Sequence, residues 1–394
     1  MKSPKLILFI IVLAQFFCTS LWFASNSIIE ELIIFFSLSV NGLGHLTIAI
    51  QFGFIVGTIL FTALTIADRF SPSKVFFISA IFGAIFNMLI ILDINTLSSL
   101  LLFRFSTGFF LAGIYPVGMK IAADYFDNDL GKSLGYLVGA LVLGTAFPHF
   151  LKSIPYDYSW HTIIFITTGL AVLGGLLIFI FVNDGPNRKK NNGLSPFAFA
   201  KLFKDRTFRL FAFGYFGHMW ELYAFWVFVP VILKDYFFSV NLNINISSIA
   251  FFIIASGSIA CVIGGYLSQR FGLKRIAFIS LILSCLCCLA SPFIINQNSI
   301  ILFISFFVFW GMVVIADSPL FSSLIAKSAT KNIQGTALTI VNCIGYTITI
   351  LSIEMVNFLY QTYNSNYIYL ILAFGPILGL LALYKVRNDS VVKA

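Results

Sequence analysis

The chain has 394 residues, of which 59% are apolar and 10% charged, with a mean hydropathy of +0.98. A soluble domain is roughly half apolar and about a quarter charged, so a chain with this balance and 47 phenylalanines has too few polar residues to clothe a soluble surface. The net charge of +9 is spread over short segments between apolar runs rather than gathered into one patch, which excludes nucleic acid as a partner.

Those runs are about 20 residues long, the length a helix needs to cross a hydrocarbon core of roughly 30 Å. A transmembrane β-barrel would alternate apolar and polar residues, and these runs do not. An all-α polytopic membrane protein with twelve transmembrane helices is expected, integral to the cytoplasmic membrane.

In chain order, Lys2 and Lys5 precede a span predicted over 6–28. It is too long for a signal-peptide core and lacks a small-residue cleavage site, so it is expected to be retained. Gln15, Thr19, Trp22 and Asn26, spaced 4, 3 and 4, form one stripe along it. A span over 46–67 leads into Asp68, Arg69 and Lys74, and a third follows over 75–92.

The fourth span, 97–122, contains Arg104, with Tyr115 eleven residues on and on the same face of a continuous helix. An ionisable side chain in a bilayer faces a cavity or a partner. Arg104 is therefore either a cation that binds an anion in a polar cavity or a cap on neighbouring backbone carbonyls. Spans over 133–151 and 161–182 complete a first half, 1–182.

The longest polar gap, 183–206, opens with Asp184-Gly185-Pro186-Asn187-Arg188 and reads as a linker. The second half, 207–394, begins with a span over 208–233 that carries His218 and Glu221 one turn apart. Their spacing suits a shared or relayed proton; the alternative is a hydrogen-bonded pair between helices. A span over 247–268 leads into Gln269, Arg270, Lys274 and Arg275, followed by spans over 276–295 and 299–326.

In the second of these, Asp317 stands beside Ser318 and Pro319. It is either a coupling or gating acid or a partner for backbone broken by the proline. A span over 335–359 carries a second stripe, Thr339, Asn342, Tyr346 and Thr349, and an interfacial acid, Glu354. The last span is 368–386.

The halves repeat one another. Asp68 and Gln269 are 201 positions apart, Gly108 and Gly311 as well as Pro116 and Pro319 are 203 apart, and Gly131 and Gly335 are 204 apart. With twelve spans, 21 of the 24 Lys and Arg residues fall on the side of the termini and linker. Only Lys152 and Lys234 fall on the other side, and Arg104 lies within a span. That split places both termini in the cytoplasm. The six cysteines lie within apolar runs, as packing thiols do, and no cofactor or metal is expected.

Loop, linker and repeat together resemble the major facilitator superfamily. The loop after the second span is similar to the family's Gly-x-x-x-Asp-Arg-x-Gly-x-Arg/Lys-Arg/Lys motif at Asp68, Arg69 and Lys74, with Leu64 and Ser71 in place of glycines. The second-half copy keeps Gly265, Arg270, Gly272, Lys274 and Arg275, with Gln269 in place of the acid. Arg104-x-x-x-Gly108-x-x-x-Ala112 resembles the family's fourth-helix motif, and Trp160-His161-x-x-Phe165 has His where the family often has Arg. Gly144 lacks the proline that follows it in the drug exporters' antiporter motif.

The resemblance implies two six-helix halves that alternate access to a central cavity, with the loop residues as a gating latch. It also implies that the first and fifth helices of each half line that cavity, so the Gln15–Asn26 and Asn342–Tyr346 stripes would meet substrate; the alternative is polar contact between helices. The expected activity is import of a small hydrophilic solute, an organic anion or iron-chelating polycarboxylate, coupled to protons through Glu221, His218 and Asp317, by a protein working as a monomer. The alternatives are a proton-driven exporter of amphipathic or cationic compounds and, remotely, a membrane-embedded enzyme or transporter-like receptor. No triad or metal-ligand spacing appears, so an enzyme is not expected.

Overall fold

The computed structural model describes residues 4–38, 42–126, 130–154, 159–188, 202–329, 334–363 and 365–386. The expected linker, 183–206, thus lies partly outside the described residues. The chain divides into two compact units, Met1–Leu194 and Ser195–Ala394. No strand occurs among the described residues.

The first unit contains α1 (Pro4–Thr19), α2 (Ala24–Ser27), α3 (Ile29–Phe35), α4 (Gly42–Ala63), α5 (Ile66–Arg69), α6 (Pro72–Met88), α7 (Leu97–Leu111), α8 (Tyr115–Tyr125), α9 (Leu130–Ser153) and α10 (Trp160–Phe181). The second contains α11 (Arg206–Ser239), α12 (Ile246–Phe271), α13 (Leu273–Ile295), α14 (Ile300–Ala316), α15 (Ser318–Ser328) and α16 (Gln334–Thr362), then a 3-10 segment (Asn366–Ala373) and α17 (Phe374–Tyr384). Eleven helical stretches among the described residues are long and apolar enough to cross a membrane, and Lys5–Thr19 is a shorter apolar helix.

The expected 6–28 helix is interrupted: α1 ends at Thr19, and the chain re-enters helix at Ala24. Thr19 and Ser20 turn their hydroxyls back onto the carbonyls of Gln15 (2.8 Å) and Phe17 (2.7 Å), a local bond that competes with the helical ladder. The expected 97–122 and 299–326 helices are also broken, into α7 and α8 and into α14 and α15. Each second segment has a proline in its first turn, Pro116 or Pro319, where the missing N–H costs nothing. The span opening the second half runs further than expected, to Ser239.

Each unit packs by the same pairings. In the first, α1 lies against α9 and α10, α4 against α7, and α6 against α10; in the second, α11 lies against α16 and α17, α12 against α14, and α13 against the 3-10 segment. Glycines permit the closest of these approaches. A Cβ on Gly53 or Gly108 would run into the carbonyl oxygens of Phe105 and Ile50 across the α4–α7 seam, and one on Gly311 would meet that of Ile253 across α12–α14. Small residues at such seams let helix backbones come close enough for dispersion to hold them in lipid.

Candidate transport-site residues

In the second unit the site is built on α11. Glu221 is 1% exposed. The Ser284 hydroxyl, from α13, lies 2.5 Å from each carboxyl oxygen, and Trp310 Nε1, from α14, donates to Oε1 at 2.6 Å. One turn earlier, His218 Nδ1 stands 2.8 Å from Asp317 Oδ1, with both side chains about 1% exposed. The Nε2 of His218 has no hydrogen-bond partner, and the ring packs against those of Tyr215 and Phe321.

The expected His218–Glu221 pair is therefore corrected. The two share a face of α11, but the partner of each comes from elsewhere, since α13 and α14 present better-placed donors and acceptors than the neighbouring turn. Asp317 occupies the break between α14 and α15, where its carbonyl accepts from the Leu320 and Phe321 amides at 3.0 and 2.8 Å. Its backbone carbonyl thus closes the joint, and its carboxylate meets His218. On the far side of α11, Tyr223 and Tyr346 join hydroxyls at 2.9 Å, and Asn342 is buried one turn before Tyr346 on α16. Glu354 is exposed on the same helix.

In the first unit Arg104 is fully buried on α7. Its Nη1 donates to the Leu21 carbonyl at 3.0 Å and its Nη2 to that of Trp22 at 2.5 Å. These carbonyls lie in the gap between α1 and α2, so the guanidinium satisfies backbone that the interrupted helix leaves open. Its Nε has no partner, and among the described residues no carboxylate pairs with it. The Arg104–Tyr115 alignment is also corrected, because the break at 112–114 separates them and the periodicity of one helix no longer relates them. Tyr115 is buried at the start of α8.

The α1 stripe is buried in different ways. Gln15 is 0% exposed, and neither atom of its amide group is hydrogen-bonded. Thr19 is bonded back to its own helix, Trp22 packs on Phe54 at 4.9 Å, and Asn26 Nδ2 donates to Thr47 at 2.7 Å.

The loop residues stand in different surroundings among the described residues. Asp68 falls in α5, where its side chain is not described; Arg69, Gln269 and Arg275 are exposed, and Arg270 lies over the Phe271 ring at 5.4 Å. The ties join motif positions to residues outside the motif. Ser71 donates to Asp184 at 2.6 Å, and Arg188 pairs with Asp184 and donates to the Phe70 carbonyl at 2.7 Å. In the second unit Lys274 Nζ donates to the Val386 carbonyl at 2.5 Å, while Lys74 is exposed. Each unit thus fastens its second loop to the end of its last helix, by different chemistry. Ser284 and Trp310 were likewise not singled out; their one signal was polarity inside an apolar run.

Two units of like helix pairing, each with a broken fourth helix and buried polar groups on its first, define a helical membrane transporter. The model of the Major Facilitator Superfamily matches residues 7–353, and the chain belongs to that family. Among solved structures, the human organic anion transporter MFSD10 (TETRAN) is similar at 12% identity over 97% of this chain and 100% of that one, with a TM-score of 0.76. A mutant of the nucleoside transporter NupG is similar at 15% identity over 97% and 99%, with a TM-score of 0.71. No curated sequence matches. The protein is a secondary transporter with small-molecule cargo, embedded in a membrane.

Proposed function

We propose that this transporter imports a small hydrophilic anion, such as an organic carboxylate, together with protons, across the cytoplasmic membrane by alternating access. The observation that carries the reading is the buried titratable set of the second unit: Glu221 held by Ser284 and Trp310, and His218 against Asp317. Groups that can gain and lose a proton rarely persist inside a membrane without a role in moving charge. Here one carboxyl group and an imidazole share α11, and a second carboxyl group meets the imidazole from the break between α14 and α15.

The preference for an anion rests on Arg104, whose positive charge is met by carbonyl dipoles and by no described carboxylate. A negative solute entering the first unit would offset that charge. Cationic cargo is less suited, because the buried acids of the second unit are already engaged by their own donors. Gln15, Trp22, Asn26, Asn342 and Tyr346 are proposed to complete the solute path.

Purified protein in liposomes, given a pH gradient and a panel of labelled carboxylates, nucleosides, sugars and organic cations, tests the whole reading. Accumulation of an anion driven by an acidic exterior supports it. Uptake restricted to cations, or uptake indifferent to the gradient, rejects it.

A further inference from the structure

A second site lies at the linker end of the first unit. Ser71, Ser73, Lys74, Phe179, Val182, Asn183 and Asp184 line a half-open cavity of about 240 Å³ between the start of α6 and the end of α10. A water molecule's share of liquid volume is about 30 Å³, so the space suits a polyatomic group.

Three features of its wall point to one chemistry. The 17-residue helix α6 begins here, with Pro72 in its first turn and Ser71 capping the Lys74 amide. A helix N-terminus presents amide donors and a positive dipole end to an anion. Ser73 is 4% exposed, lines the cavity, and its hydroxyl has no hydrogen-bond partner among the described residues. An orphan buried donor of this kind is costly unless something else meets it. Lys74 is exposed at the same rim, and no acceptor for its ammonium is found among the described residues. The one described acid in the wall, Asp184, is paired with Arg188 and accepts from the Ser71 hydroxyl.

The level of the cavity narrows the class further. The apolar stretches Pro72–Ile91 and Trp160–Phe181 both end at it, so it sits where hydrocarbon gives way to headgroups. Below it Phe77 and Phe179 stack at 4.7 Å, and Phe179 is 48% exposed, a surface suited to acyl chains. We infer that this cavity binds a phosphate group, that of an anionic phospholipid in the leaflet facing the linker. The phosphate would lie on Ser73 and the α6 N-terminus, with Lys74 closing over it. The site is separate from the proposed solute and proton path and does not depend on it.

The test uses the full-length protein, delipidated in detergent, titrated with short-chain phosphatidylglycerol, short-chain phosphatidylcholine and inorganic phosphate, with bound species counted by native mass spectrometry. The wild type should hold phosphatidylglycerol about tenfold more tightly than phosphatidylcholine. Lys74→Gln and Ser73→Val should each remove most of that preference, while Lys327→Gln, an exposed lysine of the second unit, should not. Displacement of the lipid by inorganic phosphate would identify free phosphate as a second source of the same chemistry. Equal binding by wild type and both site variants, or an equal loss on Lys327→Gln, overturns the inference.

Discussion

Arg104 and Glu221 are both buried ionisable residues, yet the surroundings assign them opposite work. Arg104 spends two donors on the carbonyls of Leu21 and Trp22. Leaving a buried acceptor unmet costs about 1–3 kcal/mol, so Arg104→Met should lower the unfolding temperature of the detergent-solubilised protein markedly. Arg104→Lys, which keeps a point charge without the planar fork, should recover part of the stability. A variant Arg104→Met that unfolds with the wild type would show that the guanidinium does not hold the break.

Glu221 behaves differently on replacement, because Gln is nearly isosteric with it and its carbonyl can still accept from Ser284 and Trp310. Glu221→Gln should therefore fold normally. It resembles a carboxyl group that never releases its proton, so accumulation driven by a pH gradient should disappear. Exchange of labelled for unlabelled solute, which needs no net proton movement, should persist. Undiminished gradient-driven accumulation in this variant would move the coupling role to the His218–Asp317 pair.

At the scale of helices, the close seams carry the most direct test. Gly108→Ala would place a methyl group against the Ile50 carbonyl, and Gly311→Ala would do the same against Ile253. Forcing such a seam apart costs about 1–3 kcal/mol, so both variants should unfold at lower temperature. Gly169→Ala, on α10 with nothing within 4 Å of the new methyl, is the control and should be neutral or slightly stabilising. Equal behaviour of all three would mean the glycines are not what sets the packing distance.

The same helices show what the sequence made legible. Span number and approximate bounds follow from apolar run length, which the bilayer itself imposes. The interruptions near Pro116 and Pro319 carry a signal that any reader of prolines can weigh. The break over 20–23 carries only the weak signal of Thr19 and Ser20, for that stretch has neither Gly nor Pro, and its open carbonyls are met by an arginine 82 and 83 positions further along the chain. Likewise the spacing of His218 and Glu221 shows that they share a face but not who faces them. Ser284, Trp310 and Asp317 arrive from other helices, at distances that no local pattern encodes.

At the scale of the whole chain, the charge pattern sets the orientation expected in the membrane. The two units repeat their helix pairings, and the twelve spans expected from the sequence would bring both termini to one side of the membrane. On that side fall 21 of the 24 Lys and Arg residues. Short loops rich in Lys and Arg stay in the cytoplasm during insertion, because moving them across is opposed by the membrane potential and by anionic lipid. Lys152 and Lys234 are the exceptions, and Lys152 is drawn to Glu31 at 2.6 Å, which reduces the charge it exposes. Reporter domains fused after Ala394 and inserted within 187–193 should both read as cytoplasmic, and one inserted within 240–245, between α11 and α12, should read as external. Shifting the balance should strain this arrangement: adding several lysines at 240–245 while removing Arg270, Lys274 and Arg275 should lower the yield of inserted protein or mix its topology. A cytoplasmic signal from 240–245 in the unaltered chain, or an external one from either other position, would overturn the assignment of sides and with it the direction proposed for transport.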